Sequence, residues 1–561
     1  MNPLDAFLTT TSIAYFSMEI ALRPEMRTYS GGLGILAGDC ARSSADLGMP
    51  IVFVTLVSHE GYLRQEIGND GGQIDHPDPW RVDDWAMPLH TMVAVLIEDR
   101  PVWVRPWLYI VSSPTSASVP VILLDTRLEL NSQDDRTITD HLYGGDEQYR
   151  LKQEIVLGVA GPRILEALGF SIRKFHLNEG HASLLTLNLL AKSSHTEVPL
   201  PLRIQQVRET CAFTTHTPIE AGHDRFSHAD VKRMIDESVR PDEVLLKQLG
   251  GGEDLNMTLL ALNLCGQVNG VAERHAETTR RMFPGYHIGA ITNGIHVPTW
   301  VHPAFAEVFQ DFLPSWAHAP ERLWRLEAIP DVSVWTAHQS AKRDFITQVR
   351  SSTGIELDEN RPIIALARRM TGYKRPNLIF TDIDRLRRIN QRHPFQIVLA
   401  GKAHPRDLEG KSLISDINRH LKDLRTEITG VFVPDYNLEV ARWFVAGADV
   451  WLNTPMPPLE ASGTSGMKAA LNGVLNLSVL DGWWREGCTE GITGWAVGSD
   501  DQPSTAHAEA CLDKIENTIL PLYYDDRSRW TWMMKQAISK IGLTFNSQRM
   551  MRQYGSEVYL S

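Results

Sequence analysis

The sequence predicts an α/β protein of two main domains, each built around a parallel sheet. Three observations carry that expectation. Short β-branched runs alternate with helical patterns through most of the chain. Those runs are apolar on every residue rather than on alternate ones, as strands covered on both faces are. The 561 residues also exceed what one core comfortably holds.

In chain order, the first strand candidates are IVFVTLV at 51–57, KFHL at 174–177 and CAFTTH at 211–216. Hairpin strands are expected at 94–98 and 101–105, and another strand at 119–124. The second half is more regular: PIIALA (362–367), QIVLA (396–400), GVFV (430–433), DVWL (449–452) and VLNLSV (474–479), with amphipathic stretches at 376–390 and 410–425 between them. The pattern breaks at ITNGIHVPTW, which places a boundary near 295. The expected organisation is therefore an N-terminal α/β domain at 1–295, a C-terminal α/β domain at 296–530, and a C-terminal helix at 531–561 returning to the first. Ligands of such sheets bind beyond the carboxyl ends of the strands.

Composition removes several classes of function. Lys and Arg total 55 against 68 Asp and Glu, a net charge of −13. That balance opposes non-specific binding to nucleic acid or anionic membranes. The five cysteines (Cys40, Cys211, Cys265, Cys488, Cys511) are odd in number and scattered, so neither a disulfide framework nor a zinc site is expected. The start of the chain lacks a signal-peptide pattern and no run is long enough to span a bilayer, so a cytoplasmic protein is expected.

Against this acidic background, residues able to bind anions collect at strand ends. Tyr29–Asp39 (YSGGLGILAGD) is a glycine-rich turn entering a helix, with Gly31 and Gly32 at its centre; backbone N–H groups there can approach an anion, although a plain turn accounts for it equally well. Strand 362–367 runs into Arg368, Arg369, Met370, Thr371, Gly372, Tyr373, Lys374 and Arg375. Four cations so close repel one another unless solvated or facing an anion, and an Arg fork with a Lys point charge suits a phosphate. DVWLNTP leads to Glu460-Ala-Ser462-Gly463-Thr464-Ser-Gly-Met-Lys468, which has a phosphate cradle's composition without the spacing of a P-loop. Lys468, among small residues on a helix's first turn, is a candidate for Schiff-base chemistry, with an exposed helical lysine as the alternative. HLNEGH (176–181) and TTHTP (214–218) put His176, His181 and His216 at strand ends; no third ligand accompanies His176 and His181, so no metal site is expected.

Taken together and in order, these segments resemble the α-glucan phosphorylase family (glycogen, starch and maltodextrin phosphorylases). EASGTSGMKAALNGVLNLSVLDGWW (460–484) is similar to the family's pyridoxal-phosphate lysine motif, and RRMTGYKRPNLI (368–379) to its phosphate-binding stretch. IAYFSMEI with GGLGILAGD, HLNEGHAS, TTHTP and TNGI also match, so the resemblance spans about residues 11–500. The chain is similar to a compact, short branch: the link from Glu19 to Gly31 is brief, the lysine motif reads TSGMK rather than TGNMK, and Trp483-Trp484 follows Asp481-Gly482 where longer members have smaller residues.

The resemblance implies two Rossmann-like domains facing across a cleft (glycosyltransferase-B type) and a glycosyltransferase that phosphorolyses α-1,4-glucan reversibly from its non-reducing end. The product is α-glucose 1-phosphate, with retention. The implied cofactor is pyridoxal 5′-phosphate, acting through its phosphate rather than its ring. Lys468 would carry it, Tyr436 would lie by its ring, and Gly463 and Thr464 would face the phosphates. Arg369 and Lys374 would hold substrate phosphate with the Gly31-Gly32 backbone, while Glu460, Asn293, Tyr373, His181 and Ser462 would meet the glucosyl unit. The implied partners are α-1,4-glucan or maltooligosaccharide, inorganic phosphate and glucose 1-phosphate, with neither nucleic acid nor membrane; a homo-oligomer is compatible but not fixed. The alternatives are a sugar-nucleotide-dependent glucan synthase of the same fold, or a non-catalytic glucan-binding protein. At Trp483-Trp484, one ring is expected in the core and its neighbour against sugar faces.

Overall fold

The computed structural model describes residues 3–115, 117–192, 197–499 and 502–560, which form two compact units. The first comprises 1–63, 77–291 and 550–561; the second comprises 64–76 and 292–549. Both are α/β with parallel sheets, the class that the alternation of apolar runs and helices predicts.

The first unit carries a ten-stranded sheet. From one edge, Gly289–Ala290, Gln267–Gly270, Cys211–Thr214, Lys174–Asn178, Ile13–Ser17, Ile51–Leu56 and Ser118–Asp125 run parallel. The long strand Arg100–Ser112 then adds antiparallel. Alternate residues serve opposite faces: Ala14, Phe16, Val52 and Val54 pack into one apolar core, while Ile13, Tyr15, Ile51 and Phe53 pack into another. Both faces are covered, so the strands read as continuous apolar runs. The chain leaves Ile13–Ser17 toward one edge and returns at Lys174–Asn178 on its other side, a reversal that opens a crevice at the carboxyl ends of these two strands.

The second unit has a six-stranded parallel sheet. Its order across the sheet is Thr429–Val433, Gln396–Ala400, Ile363–Ala367, Val450–Asn453, Leu475–Val479, Gly494–Val497. In sequence terms this is 3-2-1-4-5-6, the dinucleotide-fold order, whose reversal lies between the first and fourth strands. Those two strands end at Ala367 and Asn453, directly before the basic stretch and the NTP turn.

Two features depart from expectation. Arg64–Ile67 and Gln73–His76 form a hairpin belonging to the second unit. Gln65 Nε2 donates to Gly401 O (2.8 Å), Gln73 Nε2 to Ala403 O (2.9 Å), and Lys411 Nζ meets Asp75 (2.6 Å). The C-terminal helix expected at 531–561 is two helices, Arg527–Thr544 and one starting at Ser547, which continues as Gly555–Tyr559. The break has a cause: Ile295 N donates to Phe545 O (3.0 Å) and accepts at its own carbonyl from Ser547 N (2.9 Å). Gly294 is obligatory there, because a Cβ would sit 2.3 Å from the Asn546 backbone. Only 550–561 group with the first unit.

Candidate active site

On the second unit, the sheet reversal presents Arg368 from one strand end and Asn453 from the other, and their side chains hydrogen-bond. Arg368 also pairs with Glu460, and Lys374 Nζ lies 2.7 Å from both oxygens of that carboxylate. Glu460 is buried, its backbone N–H anchored on Asp481 Oδ2 at 2.8 Å. Burial alone raises a carboxyl pKa, but here Lys374 and Arg368 outweigh it and hold Glu460 at about 2. The basic stretch therefore folds onto an internal anion. Its other members differ. Arg369 is exposed. Arg375 turns away to brace the backbone, donating to Thr454 O (2.9 Å), Pro455 O (2.6 Å) and Ser504 O (3.1 Å). The turn's left-handed residue is Arg375 (φ 45°), whereas Gly372 is needed for space, since a Cβ would come within 2.3 Å of the Glu409 carboxylate. Tyr373 lies beneath the Lys374 ammonium, 4.8 Å from ring centre to Nζ.

Lys468 sits on the short helix Ser465–Ala470, buried, with Nζ 4.0 Å from the centre of the Trp300 ring. The preceding turn needs Gly463 in a positive-φ conformation (91°), and Thr464 leads directly into the helix. Ser462 Oγ and Asn293 Oδ1 are buried and, among the described residues, have no hydrogen-bond partner. Tyr436 packs edge-on against Phe444, with centroids 6.3 Å apart. Trp483 and Trp484 depart from expectation: both are fully buried, 5.0 Å apart, and Trp483 also meets Phe545 at 5.1 Å. Gly466 and Gly487 lie so close to the Trp483 ring that a Cβ on either would clash with it, so this pair fills the core and neither ring faces sugar.

On the first unit, the reversal brings Glu19 beside the segment Glu179–His181. The glycine turn closes on Glu19: Ser30 N–H and Gly31 N–H (3.1 Å) both donate to Glu19 Oε2, and Tyr143 Oη donates to Oε1 at 3.1 Å. Gly34 leaves room for that carboxylate, and Gly32 is exposed. Glu179 takes a positive φ (76°) and accepts from His216 N–H (2.7 Å), Thr217 Oγ1 (3.0 Å) and Gly180 N–H (3.1 Å). Burial outweighs these bonds and raises it to about 7. Burial likewise keeps His181 neutral, at about 4. His216 is held neutral too, with Nε2 2.6 Å from Asn178 Oδ1.

His176 differs from the strand-end expectation. It lies within its strand, fully buried, with Nδ1 2.7 Å from Tyr559 Oη and Nε2 2.8 Å from Thr214 Oγ1. Tyr554 Oη reaches Thr214 Oγ1 at 3.1 Å. The chain's last residues thus pin the strands that present Glu179, His181 and His216.

Sequence reasoning missed Arg368 as Lys374's partner on Glu460, Glu19 as the anion filling the glycine turn, and Trp300 over Lys468. Arg368 had a signal: it is the first residue past its strand, beside the reversal. Glu19 and Trp300 had none, because they reach their sites only by folding.

Residues 164–486 match the family model for carbohydrate phosphorylase, more than half of the chain. The chain is 38% identical over its whole length to the maltodextrin phosphorylase of Thermococcus litoralis, covering 72% of that protein. It is 35% identical over 98% of its length to the glycogen phosphorylase of Aquifex aeolicus, covering 86% of it. An uncharacterised protein of Methanocaldococcus jannaschii matches at 27% identity over 97% of this chain and 99% of its own. The chain belongs to the carbohydrate phosphorylase family.

Proposed function

We propose that this protein is a pyridoxal-phosphate-dependent α-glucan phosphorylase. It takes glucosyl units from the non-reducing end of α-1,4-glucan or maltooligosaccharide and gives α-glucose 1-phosphate with retention. The reading is supported by the buried Lys468 and by the cation cluster at the second unit's reversal, both within the family-matched region. The residues there fit the cofactor: an enclosed amine on an aromatic face, a positive-φ glycine turn before it, and two orphaned buried acceptors or donors at Ser462 and Asn293.

Lys468 holds the cofactor, with Gly463, Thr464 and Tyr436 around it. Bound, it supplies a phosphate able to exchange a proton with the substrate phosphate. Arg369 and Lys374 hold inorganic phosphate, and Glu460 keeps the cations oriented, its own charge offsetting theirs until the anion arrives. Asn293, Ser462 and Tyr373 orient glucosyl hydroxyls. On the first unit, Gly31 N–H is already taken by Glu19, so of the glycine pair only the exposed Gly32 backbone is assigned to phosphate, and neutral His181 to a sugar hydroxyl. A reaction that develops positive charge on the sugar gains from carboxylates and phosphate held nearby at fixed positions. No helix of the described residues is long and apolar enough to cross a membrane, and the five cysteines are free, which supports a cytoplasmic enzyme.

Borohydride reduction of purified protein followed by peptide mapping is expected to place a pyridoxyl group on Lys468. Unmodified Lys468 in fully active enzyme sinks that assignment. Glucan with phosphate should give α-glucose 1-phosphate by proton NMR without nucleotide; a β-phosphate, or glucosyl transfer only from a sugar nucleotide, refutes the reaction.

A further inference from the structure

Beneath His181 lies a carboxyl group the reaction above does not use. Glu154, on the helix Glu147–Ile155, is fully buried, and neither carboxyl oxygen has a hydrogen-bond donor among the described residues. The group at hydrogen-bond range is another carboxyl, Asp224. Asp224 keeps 27% of its side chain exposed, but Glu154 is shut off from water with no donor of its own, so at that range one proton must lie between them. Asp224 in turn places Oδ2 3.4 Å from His181 Nε2. The opposite ring nitrogen, His181 Nδ1, is buried and without a partner among the described residues.

We propose that Glu154 and Asp224 share one proton, and that this pair fixes His181 with hydrogen on Nε2 and a bare, accepting Nδ1. Glu154 donates to Asp224, whose remaining charge faces Nε2–H. A neutral imidazole carries one hydrogen, so holding it on Nε2 leaves Nδ1 as acceptor only. Nδ1 therefore takes an O–H donor, the chemistry of a sugar hydroxyl; this last step rests on the functional reading above. Glu154 and Asp224 are positioning residues, acting through His181.

The charges around the pair agree on which member keeps the proton. Burial raises Glu154, and the Asp224 and Glu179 carboxyls raise it further against Arg150. Asp224 is lowered: burial opposes its charge, but Arg150, His181, the Glu154 hydrogen bond and His223 outweigh it. Arg150 lies over the Tyr143 ring at 4.4 Å, and Tyr143 also packs on His181 (centroids 5.7 Å); the cation acts on the pair through space, since neither Glu154 oxygen receives a hydrogen bond from it.

Two measurements test this. Infrared difference spectra of wild type against E154Q are expected to show a protonated-carboxyl C=O band that shifts in D2O and is missing from the variant. This readout needs no activity. Kinetically, E154L fills the same space but cannot donate to Asp224, which then draws a proton onto His181. Its kcat/KM for maltooligosaccharide should fall roughly tenfold or more near neutral pH, with the acidic limb of its pH profile moved upward. E154Q, which retains a donor, should recover to within about threefold of wild type. Absence of the infrared band, E154L kinetics equal to wild type, or E154Q as impaired as E154L would each overturn the shared proton. A protein that shows the band but phosphorolyses no glucan leaves the shared proton standing and sinks the functional reading instead. If E154L does not fold, the infrared comparison decides.

Discussion

Glu179 on the first unit and Glu460 on the second are the same residue type, 6% and 5% exposed, yet they sit on opposite sides of the ordinary carboxyl range. Glu179 is raised to about 7 and Glu460 lowered to about 2. Burial pushes both upward. What separates them is the partner: Glu179 receives only neutral N–H and O–H donors, whereas Glu460 receives an ammonium and a guanidinium. A charge pair near 4 Å is worth about 4 kcal/mol at the effective dielectric of a protein site, well above the roughly 1 kcal/mol of a neutral hydrogen bond. The difference teaches that hydrogen bonds position a buried carboxyl, but a cation is needed to ionise it. It also separates two environments: the second unit holds a carboxylate ionised between cations, and the first keeps Glu179, His181 and His216 close to neutral.

The largest effect should come from taking one cation away. Lys374→Ala leaves Glu460 facing Arg368 alone, and breaking a buried pair in this way costs about 3–5 kcal/mol. Urea unfolding measures it. Adding Glu460→Gln to that variant should deepen the loss, because Arg368, largely buried and paired with Glu460, then loses its anion; a double variant as stable as K374A would remove the comparison's premise.

Arg369, exposed beside that cluster, tests function more than stability. Arg369→Ala should lower kcat/KM for phosphate by roughly thirty-fold to a thousand-fold, from the approximately 2–4 kcal/mol of a charge-assisted contact in the transition state. Arg369→Lys should not restore it, since an ammonium lacks the bidentate fork. Near-wild-type phosphorolysis from folded R369A returns this residue to a solvated loop.

The pH dependence of stability should have opposite sign at the two glutamates. Glu179 binds its proton more tightly folded than unfolded, so its contribution is complete below about 4.5 and declines as pH rises to about 7. The stability of wild type relative to Glu179→Gln should therefore fall by about 3 kcal/mol across that window, at 1.36 kcal/mol per pKa unit. Glu460 contributes above about 4.5 and loses its contribution as pH falls toward 2, so the corresponding difference against Glu460→Gln should decline toward acid. Equal slopes at the two sites would contradict the assignment of partners.

The smallest effect concerns the pin. Tyr559→Phe removes the hydroxyl on His176 Nδ1 and should cost about 1 kcal/mol, measured by chemical unfolding. No loss would mean that the Tyr559 hydroxyl adds nothing net and that the segment is held by Tyr554 and apolar packing.

Much of this was legible in the chain itself. Continuous apolar runs such as IIALA and QIVLA marked strands buried on both faces, because a strand covered twice has no polar side. The clustering of Arg368–Arg375 in an acidic protein marked an anion site, because like charges so close need a counter-ion. The order of motifs indicated the family and pointed to Lys468. Folding alone decided which partner each group received. The counter-ion turned out to be Glu460, 86 residues beyond Lys374. Arg375, though part of the same run, became a backbone brace, and the tryptophan pair became core. The hairpin 64–76 joined the second unit, and Tyr559 reached His176 across 383 residues. The physical reason is the same each time. Periodicity and local charge act over a few residues and are written in the sequence; a buried group's ionisation depends on what packs against it, and sequence neighbours do not determine that.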